Sequence, residues 1–321
     1  MESAGKLSLS CLLSTDYWLP TTGMRHVPSF RKTTMKPQRS GLLTVSIAVV
    51  LAGGALISGQ SVPNEPRRGA GSSVTGAFEG WFTNPDGSYS FLLGYMNRNQ
   101  AQELDIPIGP NNKMEPGALD RGQPTHFLPG RQWGLFVVEV PRNFVQQKVT
   151  WTIVANGQTT SIPFYAHRDY ELSPFTEASV GNTPPVISFA ENGRSVQGPL
   201  LMTTDRTTPL AKPLTLTVWV SDDLKFTSNS GARPRNLGTP VSLTWTQYRG
   251  PGTVKFDTER PVIQQLEGGK AAFSGKTTTT VTFSQPGDYM LHVTANDYSG
   301  LGGGGFQCCW TTGLVKVSVT P

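Results

Sequence analysis

The 321 residues are enough for two ordinary domains, each able to bury its own core. Charged residues make up only 15% of the chain, whereas glycine (35) and proline (25) are plentiful, and this mixture favours strands and turns over helices. Six of the 27 basic and two of the 22 acidic residues lie before residue 60, so the remainder carries only +1 of the overall +5. A nucleic-acid surface needs a standing excess of lysine and arginine. The sequence therefore predicts no nucleic-acid partner.

Residues 1–59 are typical of a leader that contains a signal peptide. Residues 41–57 carry no charge, four basic residues precede them closely, and small or polar residues follow. This is the order of a secretory signal, so we expect export to the periplasm or the extracellular space, with cleavage after Gly59 and Met35 as an alternative start. The alternative is an uncleaved hydrophobic helix that anchors the chain, although seventeen residues are short for a bilayer span. A membrane is a predicted partner only in that case.

Residues 60–73 are expected to form a disordered linker, and residues 74–168 a first antiparallel β-sandwich domain. Apolar residues alternate at two-residue spacing, for example Val149, Trp151 and Ile153. Asn-Gly at 156–157 is a strong hairpin signal, and Asn-Pro-Asp-Gly at 84–87 is typical of a tight turn. The polar stretch 110–131 is predicted to be a long loop, either functional or merely connecting. The domain resembles uncharacterised exported bacterial proteins, which implies no known activity.

A linker (169–184) and a second β-sandwich domain (185–321) are predicted to follow. Residues 241–257 (VSLTWTQYRGPGTVKFD) and 280–300 (TVTFSQPGDYMLHVTANDYSG) resemble the paired signature of PKD-type immunoglobulin-like domains. The resemblance implies a Greek-key sandwich with Trp245 buried and Tyr289 as a corner tyrosine. It also implies a spacer or interaction module and not a catalyst. The predicted fold class is thus all-β: two antiparallel, immunoglobulin-like sandwiches after an N-terminal signal or hydrophobic helix.

The candidate binding loop lies before the last predicted strand, where four glycines precede Phe306, Cys308, Cys309 and Trp310. Adjacent Cα atoms are about 3.8 Å apart across a trans peptide, which is below the usual disulfide range. The cysteines could form a vicinal disulfide, remain free thiols or form intermolecular bridges, because spacing does not fix connectivity. Phe306 and Trp310 are candidates for exposed binding anchors. The alternative is that they fold down as a lid.

The sequence predicts no catalytic residue, no metal site and no cofactor. The four histidines lack metal-ligand spacing, and no nucleophile elbow occurs. His292 alternates with apolar residues and is therefore expected to face solvent.

Three functions follow from these patterns. The leading one is an exported, non-enzymatic cell-envelope or secreted protein that acts as an interaction or spacer module, with an unknown protein or a polysaccharide as partner. The second is a carbohydrate-binding module that presents Trp81 and Trp219 as surface aromatics. The third is an enzyme whose site assembles across loops, which His126 or His167 within reach of two carboxylates would support.

Overall fold

The computed structural model describes residues 68–144, 147–177, 180–225, 239–269, 271–297 and 308–321. They belong to one compact unit, residues 64–321. The predicted leader, Phe306 with the glycines before it, and residues 226–238 lie outside the described residues. Among the helices described, none is long and apolar enough to cross a membrane.

The all-β prediction is confirmed, since the only described helices are two 3₁₀ turns, Arg142–Phe144 and Arg168–Tyr170. In the N-terminal half (residues 68–177), the strands form a β1-β2-β6 sheet, a β4-β7-β8 sheet and a β3-β5 pair, all antiparallel. The strand bounds are β1 Val74–Thr83, β2 Tyr89–Asn97, β3 Leu104–Asp105, β4 Asn112–Glu115, β5 His126–Phe127, β6 Gly130–Val140, β7 Val149–Ala155 and β8 Gln158–Phe164.

Both predicted turns are present in this half. Asn156 and Gly157, at φ 49° and 73°, join β7 to β8, which is the positive-φ pair that a two-residue hairpin turn requires. The β1–β2 turn has Gly87 at φ 82°, and its N–H donates to the Asn84 carbonyl at 2.9 Å. Alternating residues of β7 are buried as the pattern predicts. Trp151 lies at the centre, and its Nε1 donates to Asn112 Oδ1 at 3.0 Å.

In the C-terminal half (residues 180–321), two sheets pack around one apolar cluster. One has the order β10-β9-β12-β16-β14, with β15 also paired to β16, and the other has the order β11-β18-β17-β13, in which β11 runs parallel to β18. The strand bounds are β9 Val186–Ser188, β10 Ser195–Gln197, β11 Met202–Pro209, β12 Leu214–Asp222, β13 Val241–Arg249, β14 Val254–Phe256, β15 Gln264–Gln265, β16 Phe273–Phe283, β17 Gly287–Asp297 and β18 Trp310–Thr320.

Trp245 and Tyr289 are both almost fully buried in the C-terminal half. Trp245 is buried in the core between the sheets. The Tyr289 hydroxyl donates to the Gln285 carbonyl at 2.8 Å, the backbone bond expected of a corner tyrosine. Gly250 makes room for the ring, because a Cβ there would lie 2.2 Å from Tyr289 Cδ1.

The outer face of the β11-β18-β17-β13 sheet, called the contact face below, packs on the N-terminal half. Tyr248, His292 and Leu314 point outward from the sandwich, and Tyr248 and Leu314 belong to the apolar cluster of the N-terminal half. The expectation that His292 faces solvent is therefore wrong, since only 1% of it is exposed. Strand alternation identified the two faces of β17 correctly, but other residues of the chain cover the second face.

Irregularities in two strands supply backbone groups for this contact. In β6, the pairing with β2 shifts between Gln132 and Phe136, so the intervening residues leave the ladder. Two freed carbonyls then accept bonds from the contact face: Leu135 O from His292 Nε2 at 3.0 Å and Gly134 O from Trp310 Nε1 at 3.2 Å. A β-bulge leaves such groups unpaired within its own sheet, and burial requires that they find other partners.

The β13 irregularity lies at Tyr248, between Gln247 and Arg249 in the pairing with β17. The Tyr248 carbonyl accepts from Thr125 N at 3.1 Å, and the Tyr248 hydroxyl donates to the Gly122 carbonyl. The Tyr248 ring stacks on His292 with centroids 5.7 Å apart. The contact is thus made by backbone bonds and by aromatic packing.

The stretch 110–131 is not the plain polar loop that we expected. It contains β4 and β5, and its middle part docks on the C-terminal half. Arg249 donates to both carboxylate oxygens of Asp120 at 2.8 and 2.9 Å and through Nε to the Gln123 carbonyl at 2.9 Å. The arginine bonds hold the pKa of Asp120 below its ordinary value. This stretch helps to fix one half against the other.

Replacing Tyr248 tests how much the contact contributes to stability. Tyr248→Ala should lower the free energy of unfolding by about 3–5 kcal/mol, because it empties a fully buried aromatic position. Tyr170→Ala is the matched control, because Tyr170 is 53% exposed, and it should cost about 0.5 kcal/mol or less. Denaturant titrations of both variants would measure these values. Equal losses of unfolding free energy in the two variants would contradict the burial of Tyr248 in this contact.

Candidate functional site

The predicted binding loop does not present its aromatic residue to solvent. Trp310 is only 3% exposed and packs against Phe82, Leu92 and Leu172. Of the two alternatives for Trp310, an exposed anchor or a residue folded down on the protein, the structure shows the second. The physical reason is the close approach of Gly134, where an added Cβ would lie 2.3 Å from the Trp310 ring. Phe306 lies outside the described residues.

Cys308 and Cys309 are joined by a disulfide between their adjacent sulfur atoms, and both residues are buried. The Cys309 sulfur lies 3.6 Å from the Asn182 carbonyl oxygen, and Asp297 N donates to the Cys309 carbonyl at 3.3 Å. In this state neither sulfur is a thiolate, so neither can act as a nucleophile or a metal ligand. The disulfide therefore lies directly before β18 and contacts Asn182, in the segment that leads into the C-terminal half.

The two predicted surface aromatics are not open platforms. Trp81 is buried, and its Nε1 donates to the His167 carbonyl at 2.7 Å. Trp219 is half-buried, and the Lys276 ammonium lies 5.1 Å from its ring centroid. Trp133, which the sequence reasoning did not single out, is 44% exposed, and the Arg131 guanidinium lies 4.0 Å from its ring centroid.

His126 lies within reach of two carboxylates, the arrangement named above in support of an enzyme. Its Nδ1 is 2.8 Å from Asp105 Oδ1, and its Nε2 is 3.4 Å from Glu103 Oε2. Both ring nitrogens therefore face carboxylates, and the His126 side chain is only 9% exposed. His167 has one carboxylate neighbour, Asp169, at 3.5 Å. Within the described ranges, no three histidine, cysteine or acidic side chains are grouped so that they could hold a metal ion.

A cluster of buried polar side chains lies at one end of the C-terminal sandwich. Asn182 Nδ2 donates to Asp297 Oδ2 at 2.7 Å, and the Leu224 N–H donates to Asp222 Oδ1 at 2.8 Å. Among the described residues, Asp222 Oδ2 and Asn182 Oδ1 are buried without a hydrogen-bond partner. Burial, together with the negative charges of Asp297 and Asp223, raises the pKa of Asp222 to about 7. Asp222 therefore changes its charge near neutral pH.

An open cavity of about 800 Å³ lies in the N-terminal half. It forms where β2 pairs with the start of β6, which brings Met96 opposite Arg131 and Asn97 opposite Gly130. Arginines at 68, 98 and 131 line it, and none of the described residues that line it is acidic. Sequence reasoning missed this cavity, because its arginines are far apart in the chain and only the β2–β6 pairing brings them together.

The arginines of this cavity differ in their partners. Arg131 is paired with Glu79, and burial raises the pKa of that carboxyl although Arg131 opposes the rise. Arg98 donates to the hydroxyls of Ser73 and Thr75, which carry no charge. In the part of the chain that the structure describes, neither Arg68 nor Arg98 forms an ion pair. No described acidic residue thus compensates these two guanidinium charges at the cavity.

Comparison with known proteins yields distant structural likenesses. No protein-family model and no curated protein matches the sequence. The chain is similar to cadherin-like domains 1 to 4 of zebrafish RET, with a TM-score of 0.25 and 9% identity over 69% of this chain and 46% of that one. It is also similar to domains 4 and 5 of the S-layer protein SbsC (TM-score 0.18, 12% identity, 78% of this chain and 98% of that one).

A further likeness is to a protein of unknown function from Porphyromonas gingivalis W83, with a TM-score of 0.21 and 11% identity over 77% of this chain and 100% of that one. The chain spans less than half the length of the RET structure. At TM-scores this low, the alignments carry no information on function.

The raised pKa of Asp222 predicts a defined pH dependence of stability. In the unfolded chain Asp222 ionises near its ordinary pKa of 3.8, whereas in the folded protein it ionises near 7. The folded state therefore holds a proton that the unfolded state has lost, so this group makes stability fall as pH rises from about 4 to about 7. Asp222→Asn should remove that fall and raise the melting temperature above pH 7, with no gain near pH 4.

The exposed residue Asp205 provides the control. Asp205→Asn should leave the pH profile of the melting temperature unchanged. An Asp222→Asn profile that runs parallel to the wild-type profile from pH 4 to pH 8 would contradict the assignment.

Proposed function

We propose that this chain is an exported, non-enzymatic interaction and spacer module of the bacterial cell envelope, or a secreted one. A spacer must hold two surfaces at a fixed separation. The observation that carries the proposal is the contact face, where Tyr248 and His292 are almost fully buried against the N-terminal half. An interface that buries aromatic and polar groups together resists relative motion of the two parts.

Sequence features support the finer parts of the proposal. Trp245 and the bond of the Tyr289 hydroxyl to Gln285 are consistent with a PKD-type immunoglobulin-like sandwich in the C-terminal half. The uncharged stretch 41–57 supports export through a signal peptide, and hence a periplasmic or extracellular location. The resemblance of the N-terminal half to exported bacterial proteins is consistent with the same location.

The two alternative functions have less support. A carbohydrate-binding module built on Trp81 and Trp219 requires open aromatic faces, whereas Trp81 is buried and Trp219 is half-buried beside Lys276. An enzyme centred on His126 is favoured by the two carboxylates beside the imidazole, but the His126 side chain is only 9% exposed to a substrate. The partner of the proposed module remains an unknown protein or a polysaccharide.

Small-angle X-ray scattering of the exported protein tests the spacer function. Residues 68–321 should scatter as one rigid body, and Gly134→Val should increase the radius of gyration, because a Cβ at Gly134 would overlap the Trp310 ring. Gly69→Val is the matched control, since a Cβ at Gly69 meets nothing within 4 Å. Circular dichroism would check that both variants keep their strands. Wild-type scattering that fits only a mixture of separated halves would overturn the proposal.

A further inference from the structure

We infer that the cavity lined by Arg68, Arg98 and Arg131 binds an acidic saccharide, a segment of sugar residues that carry carboxylate or sulfate groups. The inference rests on the proposed function, since it names the partner class and the site of the interaction module. It begins from the charge of the cavity. Twelve of the residues that the structure describes line it, and of these three are arginines and none is acidic.

The uncompensated guanidinium groups define the chemistry of the ligand. Arg68 and Arg98 form no ion pair with any described residue, so their charges are available to a ligand. A guanidinium presents a planar fork of donors that matches the two oxygens of a carboxylate or of a sulfate. Two such forks at one cavity favour a ligand with more than one anionic group.

The walls of the cavity are held in place before any ligand arrives. Asn97 and Asn99 are buried, at 0% and 2% exposure. Asn97 Nδ2 donates to the Gln102 and Phe127 carbonyls at 2.9 and 3.1 Å. Asn99 bonds Ser72 in both directions, accepting from its N–H at 2.6 Å and donating to its carbonyl at 3.0 Å. A site ordered in advance loses less entropy on binding.

The size and polarity of the cavity favour a saccharide over other anions. A volume of about 800 Å³ lies in the usual range for small-molecule sites and far exceeds what one inorganic anion fills. Besides the arginines, most of the lining side chains are amides and hydroxyls, and only Met96 and Pro129 are apolar. Among them, Gln100 and Gln158 are exposed, so their amides can pair with sugar hydroxyls as well as with the anionic groups. Nucleic acid is disfavoured, because the chain beyond residue 60 is nearly neutral.

The binding experiment uses the exported wild-type protein and isothermal titration with three probes. These are an oligogalacturonate, the same oligosaccharide with its carboxylates methyl-esterified, and a chondroitin sulfate oligosaccharide of equal length. We expect binding of at least one acidic probe and no binding of the ester, because the ester keeps the sugar ring but removes the charge. The two acidic arms distinguish carboxylate from sulfate recognition.

Variants locate the site. Arg98→Gln and Arg68→Gln should each weaken binding by about tenfold or more, as expected for the loss of a charge-assisted contact. Arg98→Lys should have an intermediate effect, because it keeps the charge but loses the fork. The control is Arg142→Gln, since Arg142 is exposed and does not line the cavity. Arg68 and Arg98 are exposed, so melting temperatures should not change.

Three results would overturn the inference: no binding of any acidic probe, equal loss of binding in Arg142→Gln, or equal affinity for poly-glutamate or single-stranded DNA of matched charge. The last result would mean general attraction of polyanions and not recognition of a saccharide. If no acidic saccharide binds but scattering shows a rigid body, the saccharide site is rejected and the spacer function is retained. If scattering shows separated halves but an acidic saccharide binds, the spacer function is rejected and the saccharide site is retained.

Discussion

Burial of the contact face is the constraint on which the rest of the structure depends. An antiparallel sheet in a sandwich commonly leaves one face in water, yet here the outward residues Tyr248, His292 and Leu314 are all buried. Enclosing an imidazole is tolerable because it stays neutral, since burial lowers the pKa of His292 to about 4, and because its Nε2 donates to Leu135. The irregular pairing in β6 leaves that carbonyl free. The irregular pairing in one sheet thus supplies the carbonyl oxygen to which a side chain of another sheet donates a hydrogen bond.

Local signals in the sequence predicted what depends on local physics. The Asn156-Gly157 turn follows from backbone preferences alone, and Trp245 and Tyr289 belong to a single sandwich. Alternation predicted the strands and their two faces but not which face water reaches. That property depends on residues remote in the chain, since His292 and Leu135 are 157 residues apart. The same reason explains why the sequence left exposure and burial of Trp310 as open alternatives. Gly134 within a strand was a detectable sign of a bulge.

The candidate site illustrates the same limit. The unusual composition of the loop around Cys308 and Trp310 predicted a binding site there. Its described residues are instead buried, and the two cysteines are joined by a disulfide. The arginine cavity has no local motif, because β2 and β6 assemble it across a long stretch of sequence. Pairing of these two strands would have revealed it, but alternation does not specify which strands pair. The main candidate for a binding site is therefore the arginine-lined cavity of the N-terminal half and not the loop around Trp310.

The most direct test of the central claim is the titration of His292 in the intact protein, followed by NMR of the imidazole signals. Loss of a signal in His292→Gln assigns it. If the contact face is buried, the His292 signal keeps its neutral-form shift from pH 8 to about pH 5 and moves only near pH 4. A midpoint near the ordinary histidine value of about 6.5 would mean that water reaches the ring, and it would contradict the account of one body built from two halves.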